Sequence, residues 1–167
     1  MRLAVLFALD RQEVQEIEKL PIEERWAFIT EEIEETYFGN KERCLELAKA
    51  WEGLHFVLGE GVWEEETLSP AICTVFGGEF LLGAEEEADA VITFKNVQLT
   101  AEIAEYLSGF RMEDQIRQFY GKIPSEDYSM QKSEDNQQYL IDWAERLPAF
   151  YQKAAQKKRS VLFTVAF

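Results

Sequence analysis

The single histidine of the chain, His55, lies in the stretch KAWEGLHFVL, residues 49–58. An imidazole titrates near neutral pH, so a histidine in a pocket could act as a general acid or base. Glu52 and Glu79 are candidate carboxylate partners, although the abundance of acidic residues makes either choice arbitrary. On helical spacing, Trp51 falls near the centre of an apolar stripe and His55 falls at its edge. His55 is therefore either a structural core residue or a catalytic residue. The lack of an evident catalytic partner favours the structural role.

The other reactive residue types lack the spacing of known sites. Cys44 and Cys73, the two cysteines, have no second Cys or His at a zinc or redox spacing. Cys44 and His55 are predicted to lie on one helix at i and i+11, about 16 Å apart at ~1.5 Å per residue, too far for a nucleophile–base pair. Ser69 lies in Leu-Ser-Pro and not in a nucleophile elbow. The sequence therefore predicts no catalytic residue, no metal site and no cofactor.

The strongly acidic composition limits the possible partners. The formal net charge is −15, from 32 acidic and 17 basic residues. Such a surface repels nucleic-acid backbones and anionic membranes, whereas it suits a basic protein. Residues 60–94 contain nine acids and no Lys or Arg, and Trp63 in this segment could be an exposed anchor for a partner. We therefore expect no nucleic-acid or membrane binding. A basic protein or a metal cation is the electrostatically easier partner, and solubility alone is the simplest explanation of the charge.

The sequence also indicates where the protein works. Both cysteines lie in apolar surroundings, which predicts buried, reduced thiols. The opening segment RLAVLFAL is short for a signal peptide. No stretch approaches the ~20 apolar residues of a membrane span. We expect a cytoplasmic protein.

Apolar periodicity and capping residues define the elements that must position these side chains. Asp10 and Glu13 form a capping box at the start of a first helix, and Pro148 should kink or split the last one. The predicted strands are 2–9, two short strands around Gly77–Gly78 in a hairpin, 90–94 and 160–167. The predicted helices are 10–19, 22–37, 41–58, a helix capped by Asn96, a helix ending near Tyr120, and a helix from Ser133 to about residue 158.

Strands at both ends of the chain with helices between them are typical of an α+β fold. We predict a single compact domain over residues 1–167, with a small mixed sheet that includes both terminal strands. About five or six helices should pack on this sheet. We expect a monomer or a small homo-oligomer.

Three segments together resemble the YfbM-like bacterial family, a domain of unknown function. They are KAWEGLHFVLGEG, LSPAICTVFGGE and the closing AFYQKAAQKKRSVLFTVAF. Their order and spacing agree over nearly the whole chain. The chain departs from the expected pattern at its opening residues and at Ala48, where an acid is expected. The resemblance implies a compact α+β domain and no particular reaction.

Function is therefore predicted only by class. The leading hypothesis is a non-enzymatic binding domain with an acidic surface, such as an antagonist of a basic toxin or nuclease. The alternatives are an enzyme with a small-molecule pocket near His55 and a structural subunit of a larger assembly. The candidate pocket or recognition residues are Trp51, His55, Trp63 and Glu79. A deep polar pocket around His55 would favour the enzyme, and a flat acidic face with Trp63 would favour a partner.

Overall fold

The centre of the molecule is an antiparallel sheet, seen in a computed structural model that describes residues 3–63, 68–82 and 90–166. Its strands are β1 (Ala4–Leu9), β2 (Cys44–Ala48), β3 (Glu79–Phe80), β4 (Ala90–Lys95) and β5 (Ser160–Ala166). The order across the sheet is β2-β1-β5-β4-β3, and every described pairing is antiparallel rather than mixed. The α+β class is confirmed, and the two terminal strands β1 and β5 pair with each other.

Helices surround this sheet and begin largely where the capping residues predict. Asp10 and Glu13 form the expected capping box, and the Asn96 and Ser133 side chains accept hydrogen bonds from the first turns of their helices. Pro148 lies in the first turn of a new helix, so the predicted long helix is split in two. The helices are α1 (Arg11–Lys19), α2 (Ile22–Phe28), which continues through a π-helical segment (Ile29–Glu34) into α3 (Glu35–Tyr37), α4 (Trp51–Leu58), α5 (Pro70–Cys73), α6 (Val97–Ser108), α7 (Met112–Phe119), a 3-10 turn (Tyr120–Lys122), α8 (Glu134–Ala144) and α9 (Leu147–Gln156).

The two faces of the sheet are covered by two separate cores. Successive side chains of a strand point to opposite faces, so Leu6 and Phe163 enter one core while Phe7 and Leu162 enter the other. The larger core includes residues of α4, α6, α7, α8 and α9. The smaller core includes Ile17 of α1 together with residues of the π-helical segment. Among the helices of the described residues, none combines the length and the apolar character needed to cross a membrane.

The predicted helix over residues 41–58 is wrong in its first half, where strand β2 pairs with β1. Leu45 and Leu47 enter the larger core, Cys44 enters the smaller one and Glu46 is exposed. This alternation is that of a strand. Ala48 adopts a left-handed conformation, φ 47°, which redirects the chain before α4 begins. Cys44 and His55 therefore lie on different elements, and the helical separation inferred for them does not apply.

The predicted hairpin around Gly77–Gly78 is also wrong. Residues 70–73 form the short helix α5, whose N-cap is the Ser69 side chain, and only Glu79–Phe80 pairs with β4 as a strand. A Cβ at position 77 would lie 2.6 Å from the Ile72 carbonyl oxygen, and one at position 78 would lie 2.6 Å from that of Phe94. The two glycines therefore permit close packing of the segment after α5, and they do not form a hairpin turn.

A buried arginine links the edge of the sheet to α1. Arg43 donates to the Ala8 carbonyl at 2.7 Å and to the carboxylates of Asp10 and Glu13 at 3.1 and 2.6 Å. Arg159 donates to the other oxygen of Asp10 at 2.9 Å. Arg159 therefore has a structural role, because it joins the start of β5 to the start of α1.

Candidate functional site

Helix α4 places the histidine segment in the interior of the molecule. Every residue of α4 except Glu52 is buried. Gly53 makes this possible, because a Cβ there would lie 2.7 Å from the Tyr128 hydroxyl and 2.8 Å from a methyl carbon of Leu140. Trp51 is 8% exposed and belongs to the larger core. The expected apolar face of the helix is therefore confirmed for Trp51, whereas His55 is buried and is not the boundary residue that helical spacing predicts.

His55 is held by one hydrogen bond in an apolar environment. Its side chain is 1% exposed, and Nε2 lies 2.8 Å from the Trp63 carbonyl oxygen. Burial lowers the pKa of His55 to about 4; the hydrogen bond to Trp63 opposes this shift and the charge on Lys95 adds to it. The ring is therefore neutral at physiological pH. Since a carbonyl only accepts, Nε2 carries the proton and Nδ1 presents a lone pair.

Aromatic rings surround this imidazole. The ring centroid of His55 lies 4.4 Å from Trp63 and 5.6 Å from Phe76, in edge-on arrangements. Trp63 also lies 5.9 Å from Trp51 and 5.2 Å from Phe76. Edge-on and tilted pairs at these distances are favourable aromatic contacts. Trp63 is therefore a partly buried member of the cluster, and it is not the exposed anchor that its position in an acidic segment suggests.

The cluster forms the wall of a pocket of about 190 Å³. Leu68 and Phe80 are 61% and 46% exposed, so they mark its solvent side. Apart from the imidazole, the described side chains that line it are apolar. The described residues that line the pocket are His55, Trp63, Leu68, Ile72, Phe76, Gly77, Gly78 and Phe80.

Side chains from two other elements hold the segment that carries Phe76. Lys95, at the end of β4, is completely buried and donates from Nζ to the Val75 carbonyl at 2.7 Å and to Thr93 Oγ1 at 2.8 Å. Tyr151 of α9 donates to the Thr74 carbonyl at 2.6 Å. These bonds satisfy carbonyls that follow the short helix α5. Burial lowers the pKa of Lys95 to about 7, so the amine is only partly charged at neutral pH.

The acidic candidates do not join the histidine. Glu79 is exposed on β3, between two pocket residues, and among the described residues nothing links its carboxylate to His55. Glu52 instead accepts hydrogen bonds from the backbone and the hydroxyl of Ser129. The structure thus brings Trp51, His55 and Trp63 together and leaves Glu79 at the margin.

Both cysteines are buried, as predicted, and they are not joined in a disulfide. Cys44 lies in the smaller core, and Cys73 ends α5 in the larger one. Burial raises the pKa of Cys44, so its thiol is less reactive than an exposed one. No cluster of three or more His, Cys, Asp or Glu residues able to hold a metal ion occurs within the part of the chain that the structure describes.

A second cavity, of about 330 Å³, lies beside β2 and α8. It is larger and more polar than the pocket at His55. Two buried side-chain nitrogens of the described residues have no hydrogen-bond partner, His55 Nδ1 and Arg159 Nη1, and neither belongs to this second cavity. Its lining residues are Leu45, Glu46, Asp142, Trp143, Glu145 and Arg146. The pocket at His55 is therefore the stronger candidate site.

Sequence reasoning missed Lys95, Phe76 and Phe80. A lysine at the end of a predicted strand is normally exposed, and no sequence signal distinguishes Lys95 from such a residue. Phe76 and Phe80 flank the glycine pair, and their roles depend on the close packing that the glycines permit. The incorrect prediction of a hairpin at Gly77–Gly78 prevented this role of the glycines from being recognised.

Comparison with known proteins places the chain in a family. The family described as "Domain of unknown function (DUF1877)" matches residues 1–164. The chain belongs to this family. No match to a curated protein was found. The chain is also similar to a crystal structure of YfbM from Escherichia coli, described as a protein of unknown function, with a TM-score of 0.62 and 16% identity over 98% of this chain and 99% of that one.

The DUF1877 assignment agrees with the resemblance that the three sequence segments suggest. At 16% identity the likeness to YfbM concerns the fold. Any function must therefore be argued from the pocket and the charge of this chain.

Proposed function

We propose that this DUF1877 chain is a non-enzymatic binding domain, and that its pocket holds an apolar side chain of a basic protein partner. The observation that carries the proposal is the aromatic pocket of about 190 Å³ with Leu68 and Phe80 exposed on its solvent side. A large apolar side chain buried in such a pocket supplies much of the affinity of many protein interfaces. Antagonism of a basic toxin or nuclease is one form that such binding could take.

The charge of the chain supports a basic partner. The formal net charge is −15, and residues 60–94, which include most of the pocket-lining positions, contain nine acids and no Lys or Arg. Complementary charge accelerates association and disfavours acidic competitors. Two buried cysteines that are not joined in a disulfide support a reducing compartment such as the cytoplasm.

An enzyme acting near His55 is the alternative, and the chemistry of the pocket supports it less well. A general base works best with a pKa near the operating pH, whereas the pKa of His55 is lowered to about 4. Lys95 has a pKa of about 7, but its amine is completely buried and does not line the pocket. Binding without a proton-transfer step is the function that these groups fit.

Affinity capture from the source cell with matched variants tests the proposal. Phe80→Ser removes an exposed ring from the pocket, and Phe38→Ser removes a comparably exposed ring, 60% against 46%, that does not line it. We expect the wild type and Phe38→Ser to retain one basic protein, and Phe80→Ser to lose it by about tenfold or more, as for a central interface anchor.

Salt provides the second criterion. Capture should weaken at high ionic strength, because exposed complementary charges are screened. A partner that binds all three proteins equally, or that is acidic, would rule out the proposed mode of binding.

A further inference from the structure

We infer that the pocket recognises an aromatic ring that carries an N–H or O–H donor, as tryptophan and tyrosine do, and that His55 Nδ1 accepts its hydrogen bond. The inference rests on the proposed function in that it names the anchor residue of the same partner. It also specifies a chemical selectivity that can be measured without the partner.

The acceptor is defined by the hydrogen bond on the other side of the imidazole. Nε2 lies 2.8 Å from the Trp63 carbonyl, so Nε2 must be the donor and carry the ring proton. A neutral imidazole has one N–H, so Nδ1 presents a lone pair. Nδ1 is buried, and no described residue donates to it. Buried polar atoms are rarely left unpaired in folded proteins, so this lone pair marks a position where a ligand donor is favoured.

The walls select a flat ring over an aliphatic chain. Trp63 and Phe76 have their ring centroids 5.2 Å apart at 46°, and Phe76 and Phe80 are 6.1 Å apart at 71°. These tilted faces and edges offer the offset and edge-on contacts that another aromatic ring prefers. An entering ring would join a cluster that already contains the imidazole edge-on to Trp63.

The volume is close to that of one ring system. An apolar cavity of about 150 Å³ accommodates benzene, so the 190 Å³ here matches a phenol or an indole. The described lining residues include no charged side chain. A carboxylate or ammonium group held against the inner walls would lose hydration without a counter-charge from these residues, which is unfavourable. A neutral ring with one donor is the class that meets all these conditions.

A pair of ligands of the same shape isolates the hydrogen bond. Indole has an N–H where benzofuran has an oxygen that cannot donate, and phenol compares in the same way with toluene. Because the chain has one histidine, a ¹⁵N-labelled sample gives one pair of imidazole nitrogen resonances. We expect indole and phenol to bind about fivefold to tenfold more tightly than benzofuran and toluene. Both donor ligands should shift the Nδ1 resonance while Nε2 remains protonated.

His55→Phe is the matched variant, since it keeps a ring at this position and removes the acceptor. Indole and benzofuran should bind this variant with equal affinity. The comparison of ligands on the wild type holds even if the variant does not fold. Equal affinity of indole and benzofuran for the wild type, indole binding that leaves Nδ1 unmoved, or no binding of either ring would each overturn the inference.

The inference and the proposed function can fail separately. If neither indole nor phenol binds, but the Phe80→Ser variant loses a basic partner that the wild type retains, the proposed function stands and the inferred selectivity for a ring with a donor is rejected. A lysine-rich peptide with one tryptophan should bind more tightly than N-acetyltryptophanamide and in a salt-dependent way. If the two bind alike, the ring selectivity still holds, but the site takes a free small molecule and the protein partner is rejected.

Discussion

At the level of single residues, His55 links the pocket to the pH dependence of stability. Its pKa is about 4 in the folded chain and near 6.5 in the unfolded one. As pH falls from 7 to 4.5, the unfolded chain takes up the proton first, and the free energy of unfolding falls by roughly 2–3 kcal/mol. Urea unfolding at several pH values should show this loss in the wild type.

His55→Gln removes the titration and should flatten this part of the profile. Glu34 acts in the opposite direction, since burial raises its pKa and favours the folded state as pH falls. That contribution is shared by both proteins, so the difference between their profiles reports on His55. Parallel profiles would mean that His55 is not buried as a neutral ring.

Lys95 produces a second pH effect, on the alkaline side. Burial lowers its pKa to about 7 from an unfolded value of 10.5, so the folded chain holds fewer protons in this range. Stability should therefore rise between pH 7 and 9, by roughly 2 kcal/mol. The raised pKa of Cys44 opposes this trend mainly above pH 9. Lys95→Met should abolish the rise in urea unfolding, and a rise that survives the substitution would exclude Lys95 as its source.

Trp51 tests the residue packing around the pocket. Its ring contacts Trp63, Phe76 and Phe163 at centroid distances of 5.9, 6.0 and 5.7 Å. Trp51→Ala should therefore lower the free energy of unfolding by about 3–5 kcal/mol. Phe38→Ala, at an exposed ring, should change it by less than about 0.5 kcal/mol. A loss below about 1 kcal/mol for Trp51→Ala would place this ring outside the core.

At the level of elements, local capping signals predict more than apolar periodicity does. The boundaries at Asp10, Asn96 and Ser133 were predictable because a side chain near the start of each helix supplies its own hydrogen bond. The segment CLELA could not be assigned in this way. Its leucines fit both a continued helix and a strand, and only pairing with β1, distant in sequence, decides between them.

The structure of the segment after Ser69 was predicted wrongly for a related reason. A short apolar run is compatible with a buried strand or a buried helix. Ser69 before Pro70 is the signal that favours a helix here, and a single N-cap does not decide between the two. The pocket could not be predicted because it depends on this segment. Trp51, close to His55 in sequence, was predicted to lie in the core. Phe76, Phe80 and Lys95 are brought to the site only by the tertiary fold.

Gly77 tests this packing, because it lies directly against the backbone of α5. A Cβ at position 77 would meet the Ile72 carbonyl at 2.6 Å, whereas a Cβ at Gly121 would meet no atom within 4 Å. Gly77→Ala should lower the free energy of unfolding by about 1–3 kcal/mol, and Gly121→Ala should leave it nearly unchanged. Equal unfolding midpoints for the two variants would contradict the close approach. A shift of the His55 ring resonances in Gly77→Ala alone would connect this packing to the pocket.

At the level of the whole molecule, the last strand joins the two cores. β5 pairs with β1 on one side and with β4 on the other, so it lies at the centre of the sheet. Phe163 enters the larger core and Leu162 the smaller one. Folding of either face therefore requires this segment.

Deletion of residues 160–167 should abolish cooperative unfolding. The deletion removes both central ladders and divides the sheet into two pairs of strands, β2-β1 and β4-β3. Isolated two-stranded units are marginal in water, and the buried side chains of β5 contribute to both cores. Phe80→Ala, on the edge strand and half-exposed, should instead keep a single sharp transition. Thermal unfolding followed by circular dichroism distinguishes these results, and a truncated chain that melts as sharply as the parent would show that β5 is dispensable for the core.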